Sequence, residues 1–292
     1  MRKLIFGCGY LGMPVAAGWA AEDATIFAVT RDIEKSCKLR ERGILPVIAD
    51  IMDPGTLKNL PEADAVLFAV GHDRRSNRSI RQLYVDGLQH VLEHLPTGVK
   101  RLIYVSSTGV YGQSDGTWVD EQAECEPIRE GGQACRQAEL LLRSHPLGER
   151  SLILRMAGIY GPGRIPRRRE LKAGLPIEAP SEGYLNLIHV DDAARVVIAA
   201  EKHARVPDLY CVSDGHPVIR REYFHELAAL LDAPKPTFRT PPADSPAAER
   251  AGASKRVSNR RMLAELGVEL QYPSYREGLA AIVQASLPSS RK

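Results

Sequence analysis

The run of glycines between residues 7 and 12 restricts the fold of this chain more than any other feature of its sequence. Gly7–Gly12 reads GCGYLG, which is the spacing G-x-G-x-x-G. Arg2–Phe6 before it is typical of a strand, and Leu11–Ala21 after it has the apolar periodicity of a helix. A strand, a glycine turn and a helix in this order predict the first βαβ unit of a parallel sheet.

Such a turn is suited to holding the pyrophosphate of a dinucleotide. The first glycine permits a tight turn, the second lets the backbone approach the phosphates, and the third lets the helix pack closely on the strand. The helix N-terminus adds free N–H groups and the positive end of its dipole. The residues assigned to this predicted site are Gly7, Cys8, Gly9, Tyr10, Leu11 and Gly12.

Apolar runs alternate with amphipathic segments through the first two thirds of the chain, and the pattern loosens beyond Gly158. Further strands are predicted at Ala24–Thr30, Leu45–Ala49, Ala65–Val70, Arg101–Ser106, Ser151–Arg155 and Asp208–Ser213. Further helices are predicted at Asp32–Arg42, Ser79–Leu95, Gly132–Ser144, Asp192–His203 and Arg221–Leu231, and a surface loop at Thr240–Ala253. Strands that are apolar on both faces and separated by helices predict an α/β fold with a doubly wound parallel sheet of Rossmann type.

This reading divides the chain into a dinucleotide-binding domain, residues 1–157, and a small C-terminal substrate lobe, residues 158–292. Within the second part, residues 188–214 are expected to return to the sheet. A length of 292 residues is close to the upper limit for one undivided core, which agrees with this division.

Composition excludes several classes of protein. The formal net charge of +3, from 39 basic and 36 acidic residues, does not indicate a nucleic-acid partner. Five cysteines, an odd number without a CxxC pair, fit neither a disulfide framework nor a zinc site. The uncharged segment Leu4–Ala21 has the length of a short membrane span, but its glycines and Pro14 would break an apolar helix. We therefore expect a cytoplasmic protein that has no metal and does not enter the membrane.

The end of the second predicted strand bears on the choice of dinucleotide. An acidic residue there would bind a ribose 2′-hydroxyl, whereas an arginine would pair with a 2′-phosphate. The chain reads Thr30-Arg31-Asp32 at this point, so Arg31 favours NADP(H). Asp32 keeps NAD as the alternative, and Arg31 as a solvated charge is the remaining interpretation.

Six groups of residues together resemble a known family. They are Gly7–Gly12, Asp50-Ile51, Ala69-Val70-Gly71, Ser106–Gly112 (SSTGVYG), Arg155 through Ile159–Gly163 (IYGPG) and His189–Asp192 (HVDD). With them the chain resembles the short-chain dehydrogenase/reductase superfamily, and most closely its extended or atypical branch, called NAD-dependent epimerase/dehydratase. The resemblance extends over most of the chain.

The resemblance implies roles for particular residues. Asp50 and Ile51 would flank the adenine, and Ser107 would orient the substrate. Ala69, Val70 and Gly71 would line the cofactor. It also implies an oxidoreductase or epimerase acting on a sugar-like or nucleotide-sugar substrate, and a homodimer formed through the helices Ser79–Leu95 and Gly132–Ser144.

The acid–base pair of the family, Tyr-x-x-x-Lys, has no counterpart at the expected place. Aligning Glu139 with the family's glutamate puts Gly131 at the tyrosine and Cys135 at the lysine, and neither side chain can do that chemistry. A shift of one residue brings Gly132 and Arg136 to these positions. A catalytically inactive, dinucleotide-binding regulatory protein is therefore the alternative function.

Three residues are candidates to replace the missing pair. Tyr111 follows Ser107 by four positions and is the named proton donor, with loop packing as its alternative role. Cys135 would be a thiol in the altered helix or a small buried residue, and Glu121 an acid before that helix or an exposed charge.

Several remaining polar residues have both structural and functional interpretations. Asp191 or Asp192 would cap the following helix, and His189 would contact substrate or close a hydrogen bond. No G-x-S-x-G hydrolase motif occurs. Tyr184 and Asn186 are candidate substrate contacts. Two basic clusters would form either a cationic mouth for an anionic small molecule or solvated surface: Arg74, Arg75, Arg78 and Arg81, and Arg164, Arg167, Arg168 and Arg169.

Overall fold

The computed structural model describes residues 1–73, 77–242, 245, 248 and 252–285. In this part of the chain the strands are β1 (Arg2–Phe6), β2 (Thr25–Thr30), β3 (Leu45–Ile48), β4 (Ala65–Phe68), β5 (Arg101–Ser107), β6 (Trp118–Val119), β7 (Ser151–Met156), β8 (Gly158–Tyr160), β9 (Ile177–Glu178), β10 (Tyr184–Leu185), β11 (Leu187–His189), β12 (Asp208–Val212), β13 (Val218–Ile219), β14 (Phe238–Arg239) and β15 (Arg256–Val257).

The α-helices of the same residues alternate with the longer strands. They are α1 (Gly12–Ala20), α2 (Ile33–Arg40), α3 (Gly87–His94), α4 (Glu130–Ser144), α5 (Arg168–Lys172), α6 (Val190–His203), α7 (Arg220–Leu230), α8 (Arg260–Leu266) and α9 (Tyr275–Ala285). A π-helical turn, Gln82–Asp86, leads directly into α3.

Seven strands form one parallel sheet in the order β12-β7-β5-β4-β1-β2-β3. The chain moves outward from β1 to β3 and then crosses back to β4 on the other side of β1. This reversal of strand order opens a crevice at the carboxyl ends of β1 and β4. The doubly wound Rossmann-type fold predicted from the sequence is confirmed.

The period of two along the strands produces two separate cores. In β1, Leu4 and Phe6 pack into the core that includes α3 and α4, whereas Ile5 packs into the core that includes α1 and α6. Because neighbouring side chains of a strand point to opposite faces, an apolar strand needs a helical layer on each face. This explains why the strand segments are nearly continuous in apolar residues.

A third core belongs to the C-terminal part of the chain. It is rich in aromatic residues from β8, α7 and α9, among them Tyr160, Tyr223, Phe224 and Tyr275. The short strands β6 and β15 pair in parallel and join the late segment Arg256–Val257 to the loop after β5. That pairing brings a distant part of the sequence beside the end of β5.

Some sequence predictions of local structure differ from the fold. The predicted helix Ser79–Leu95 includes the π-helical turn, and α8, α9 and the two-residue strands were not predicted. The prediction that Asp191 or Asp192 caps α6 is wrong, because the helix begins at Val190, two residues before the predicted start, and His189 Nδ1 accepts the hydrogen bond from the Asp191 N–H at 3.3 Å. The predicted loop Thr240–Ala253 lies partly outside the described residues.

The uncharged segment Leu4–Ala21 is divided between β1 and α1. Trp19 and Val15 on α1 are buried in the core beside the sheet. Among the residues that the structure describes, no helix has both the length and the apolar character needed to cross a membrane.

Candidate active site

A cleft with a volume of about 1330 Å³ lies at the carboxyl ends of the parallel strands. Its walls come from the ends of β1, β2, β4, β5 and β7 on one side and from the C-terminal part of the chain on the other. Ligands of open α/β sheets bind at this position, where the strand order reverses. All but one of the cofactor residues predicted from the sequence line this cleft: Gly7, Cys8, Gly9, Tyr10, Leu11, Arg31, Asp50, Ile51, Ala69, Val70 and Gly71. The exception is Gly12, the first residue of α1, which is not part of the lining.

A side chain would have a different effect at each of the three glycines of the turn. Gly7 has φ +89°, and a Cβ there would overlap the carbonyl oxygen of Ala69. At Gly12 a Cβ would lie 2.5 Å from the Gly7 oxygen, so a side chain would push α1 away from β1. A Cβ on Gly9 would meet no protein atom within 4 Å, so its lack of a side chain keeps space open in the cleft.

The other residues of the turn have partners in the protein. Burial raises the pKa of the Cys8 thiol to about 11, which keeps it protonated, and the thiol contacts the sulfur of Met13 at 3.3 Å. The Tyr10 hydroxyl donates to the Pro162 carbonyl at 3.2 Å. The Arg164 guanidinium stacks over the Tyr10 ring, 5.2 Å from its centre, and so brings a positive charge to the phosphate region.

The end of β2 presents a wall of positive charge. Four basic side chains line the cleft here: Arg31, Lys35, Lys38 and Arg42. Asp32 is not part of the cleft lining, and its carboxylate accepts a hydrogen bond from the Lys35 backbone N–H at 3.1 Å as the N-cap of α2. The acidic residue that would suit a ribose hydroxyl is thus used to begin the helix.

Asp50, which follows β3 in the cofactor region, is held by Arg78. The guanidinium donates to both carboxylate oxygens, at 2.7 and 2.8 Å, and this bond holds the pKa of Asp50 below its usual range. Arg81 likewise pairs with Asp86 at 2.9 Å. Arg78 and Arg81 are therefore neutralised, while the predicted cluster members Arg74 and Arg75 lie outside the described residues.

The second basic cluster is divided between the cleft and its surroundings. Arg164 and Arg167 line the cleft, and Arg167 pairs with Glu170 at 2.7 Å. Arg168 and Arg169 are not among the residues that line it. The positive charge at this edge thus comes chiefly from Arg164.

Ser107 is the last residue of β5 and lines the cleft. Its hydroxyl oxygen accepts a hydrogen bond from the Gly109 N–H at 3.0 Å, which fixes the side chain at the start of a short 3₁₀ turn. The hydroxyl proton is left for a further acceptor. The arrangement suits a group that donates to a substrate oxygen.

Tyr111 lies outside the cleft lining and does not have the position expected of a proton donor. Its side chain is only 2 % exposed, and its hydroxyl donates to the Asp120 carbonyl at 2.6 Å and accepts from Arg155 at 2.8 Å. Burial is the main reason that the pKa of Tyr111 lies far above its ordinary value. The structure supports the alternative interpretation of Tyr111, which is packing in the loop.

Cys135 and Glu121, the other two candidates to replace the acid–base pair, are also unsuited to proton exchange. Burial raises the pKa of the Cys135 thiol to about 12, although Cys135 does line the cleft. Glu121 accepts a hydrogen bond from the Cys211 N–H at 2.7 Å and is not part of the cleft wall. Neither group is set up to exchange a proton with a substrate at neutral pH.

Of the three candidate substrate contacts, His189 and Asn186 have mainly structural roles. His189 is buried, stacks against Tyr272 with ring centres 4.0 Å apart, and does not line the cleft. Asn186 does line it, but its side-chain amide is bonded to the backbone of Lys255 and Val257, at 2.9 and 2.7 Å. Tyr184 lines the cleft beside it.

Sequence reasoning missed several residues of the cleft. They include Lys35, Lys38 and Arg42 near the cofactor region, and Tyr84, Arg129, Arg220 and Lys255 near Ser107. The three cations beyond residue 128 lie just before α4, at the start of α7 and just before β15, which are distant in sequence. The charged face of the predicted helix Asp32–Arg42 was the one observation that could have revealed the first group.

Comparison with known proteins agrees with this geometry. A model described as the NAD dependent epimerase/dehydratase family matches residues 4–212. The chain is 31 % identical over 283 residues to Protein YeeZ of Escherichia coli, covering 94 % of this chain and 97 % of that protein. It is 26 % identical to a 3-diazoavenalumate denitrifying reductase of a Streptomyces species, covering 96 % and 99 % of the two chains. A solved structure of a functionally unknown conserved protein from Silicibacter pomeroyi superposes with a TM-score of 0.81, 29 % identity and 98 % coverage of both chains.

Proposed function

Because the chain belongs to the NAD dependent epimerase/dehydratase family, we propose that it is an NADP(H)-linked oxidoreductase or epimerase acting on a sugar-like or nucleotide-sugar substrate. The observation that carries the cofactor preference is the cationic wall at the end of β2. Arg31, Lys35 and Lys38 supply positive charge where a 2′-phosphate would stand, while Asp32 caps α2. A guanidinium can bind a phosphate through two parallel N–H bonds.

When bound, the dinucleotide supplies or accepts a hydride at its nicotinamide ring. The Ser107 hydroxyl donates a hydrogen bond to a substrate oxygen and so holds the reacting carbon in a fixed position. The Gly109 N–H keeps the serine oxygen in place for this role. Positioning of this kind is a principal source of rate enhancement in such sites.

Tyr84 is the proton donor in this proposal. It lies on the π-helical turn before α3, lines the cleft, and is close enough to Arg164 for that positive charge to affect its pKa. Burial raises the pKa of Tyr84, so the phenol stays protonated at neutral pH and acts as an acid toward a developing alkoxide. Tyr84→Phe should lower kcat much more than it changes KM.

The relative from Streptomyces is named a reductase, which supports redox chemistry over simple binding. The second candidate function is a dinucleotide-binding regulator without turnover. It is favoured by the start of α4, where Gly131 and Cys135 stand at the positions aligned with the family's tyrosine and lysine.

Cofactor preference is tested by titrating the protein with NADPH and NADH and following nicotinamide fluorescence. Arg31→Ala should weaken NADPH binding by about 10- to 150-fold, the equivalent of a charged hydrogen bond worth about 1.5–3 kcal/mol. NADH binding should hardly change. Arg40→Ala is the matched control, because Arg40 is exposed on α2 and does not line the cleft. Tighter binding of NADH than NADPH to the unmodified protein would contradict the proposal.

Turnover is tested with a panel of nucleotide-sugars and carbonyl compounds in the presence of NADPH or NADP. Nicotinamide absorbance reports net redox change, and analysis of product isomers reports epimerisation. Activity that disappears in Ser107→Ala supports the enzyme. Saturable dinucleotide binding with no turnover of any compound in the panel would favour the regulator.

A further inference from the structure

Arg129 places an unpartnered guanidinium beside Ser107. It is the residue before α4, and a Cβ built on Gly109 would lie 3.2 Å from Ser107 Oγ and 3.4 Å from Arg129 Nη2. Both groups therefore border the same small region of the cleft. Within the described ranges, no residue accepts a hydrogen bond or forms an ion pair with this guanidinium.

Lys255 brings a second positive charge to this wall. Its side chain is only 6 % exposed, yet it lines the cleft, and its ammonium donates to the backbone carbonyl of Tyr111 at 2.8 Å. None of the carboxylates in the described part of the chain pairs with it. Burial and the charge of Arg129 lower the pKa of Lys255 to about 8. A buried ammonium normally has a carboxylate partner, because loss of hydration is costly.

Arg220 stands on the same side of the cleft and is held by backbone oxygens. Its guanidinium donates to the Glu182 carbonyl at 2.5 Å and to the Ala253 carbonyl at 3.0 Å. These bonds hold the guanidinium in a fixed position. The charge of Arg129 acts on Arg220 as it does on Lys255, and with burial it lowers the pKa of Arg220.

Repulsion between Arg129 and Lys255 disfavours the ligand-free cleft. Neither side chain has a carboxylate partner among the described residues, and burial together with the charge of Arg129 lowers the pKa of Lys255. Their repulsion lowers the stability of the free protein, and a negatively charged ligand between them would compensate for it.

We propose that Arg129 and Lys255, with Arg220 nearby, form a subsite for an oxyanion of the substrate, next to the carbon that Ser107 orients. The inference rests on the proposed function, since it assumes that a substrate binds beside the dinucleotide. It adds that this substrate carries a carboxylate or phosphate close to its reacting carbon.

The test uses protein saturated with NADPH, so that added anions cannot occupy the dinucleotide's own phosphate sites. Sulfate serves as the probe for a phosphate group and acetate as the probe for a carboxylate, at constant ionic strength maintained with chloride. Binding is followed by isothermal titration and by the shift in Tm. Saturable binding of sulfate over acetate identifies a phosphate-bearing substrate, and the reverse identifies a carboxylate.

Variants connect the binding to the proposed residues. Arg129→Gln and Lys255→Met should each weaken binding of the preferred anion at least tenfold, and Arg129→Lys should retain part of the affinity. Arg143→Gln, an exposed change on the same helix, controls for general salt effects on Tm. Because sulfate does not titrate between pH 6 and 9, its affinity should fall as pH rises through the pKa of Lys255, and this dependence should be absent in Lys255→Met.

Two outcomes separate this inference from the proposed function. If NADPH binds but neither anion binds saturably, or if Arg129→Gln and Arg143→Gln behave alike, the subsite is refuted while dinucleotide binding stands. If NADPH itself shows no measurable affinity, the proposed function fails first. Where the unmodified protein binds NADPH, Arg129→Gln should bind it with unchanged affinity, and this shows that the variant is folded.

Discussion

The buried carboxylate of Glu139 offers the sharpest test of how the catalytic end of β5 is held. It is fully buried and accepts two hydrogen bonds from Arg155, at 2.9 and 2.7 Å, and one from the Ser106 hydroxyl at 2.7 Å. Ser106 precedes Ser107 in the chain, so this ion pair ties α4 and β7 to the strand that carries the serine proposed to orient the substrate. The perturbation is Glu139→Gln, which keeps the shape and removes the charge.

The expected loss follows from leaving the Arg155 charge buried without its partner. Breaking a buried ion pair from one side costs about 3–5 kcal/mol. An unfolding entropy of about 2.1 cal/mol/K per residue gives roughly 0.6 kcal/mol/K for a chain of 292 residues. The Tm should therefore fall by about 5–8 °C, and kcat should fall with it as Ser107 loses its fixed position.

Urea unfolding and calorimetry measure the change, with Glu130→Gln on the exposed first turn of the same helix as control. Combining Glu139→Gln with Arg155→Met should recover at least half of the lost stability, because the unpaired charge is then removed. A loss below about 1 kcal/mol in the single variant would refute the reasoning. It would mean that water or another group compensates Arg155 as well as the carboxylate does.

Three further outcomes follow from other parts of the molecule. Gly9→Ala should keep the wild-type Tm and lose at least tenfold in NADPH affinity. Gly7→Ala should lower both the Tm and the affinity, because a side chain at φ +89° would overlap the backbone after β4. Thermal unfolding and NADPH titration compare the two variants. Burial raises the pKa of Asp214 to about 7. The protonated carboxyl therefore contributes to stability below pH 4, and this contribution is lost as the pH rises through 7. The free energy of unfolding should change by about 4 kcal/mol over this range, and Asp214→Asn should remove the change. If the expected homodimer forms through α3 and α4, replacing the 51 % exposed Leu140 with glutamate should convert it to monomer in light scattering, and an unchanged mass would exclude that interface.

The sequence predicted the parts of the site that depend on local rules. The spacing of the glycines, the position of Arg31 after a strand and the serine at the end of β5 are short-range features. Gly7, Gly9, Arg31 and Ser107 all line the cleft. The group of basic residues near Ser107 could not be predicted from such local rules. Arg129, Arg220 and Lys255 meet only because β15 pairs with β6 and because α7 packs in the C-terminal core, and no local pattern records such pairings.

The error over Tyr111 has a similar cause. The spacing after Ser107 puts the tyrosine near the cleft, but Arg155 and Glu139 draw its hydroxyl into the ion-pair network below the sheet edge. Buried partners from distant strands decided the direction of the side chain. The order of residues in the loop could not show them.

The close seat of α4 on the turn after β5 limits how this scaffold can be re-engineered. A Cβ on Gly132 would overlap the Gly109 oxygen, and one on Gly131 would stand 3.3 Å from the Ile80 side chain. A tyrosine introduced at 131 would therefore require the Ile80 side chain to shift by a few tenths of an ångström, whereas any side chain at 132 would require α4 to move away from the turn after β5. The start of this helix thus tolerates substitution at one position and excludes it at the next, because only the second meets backbone.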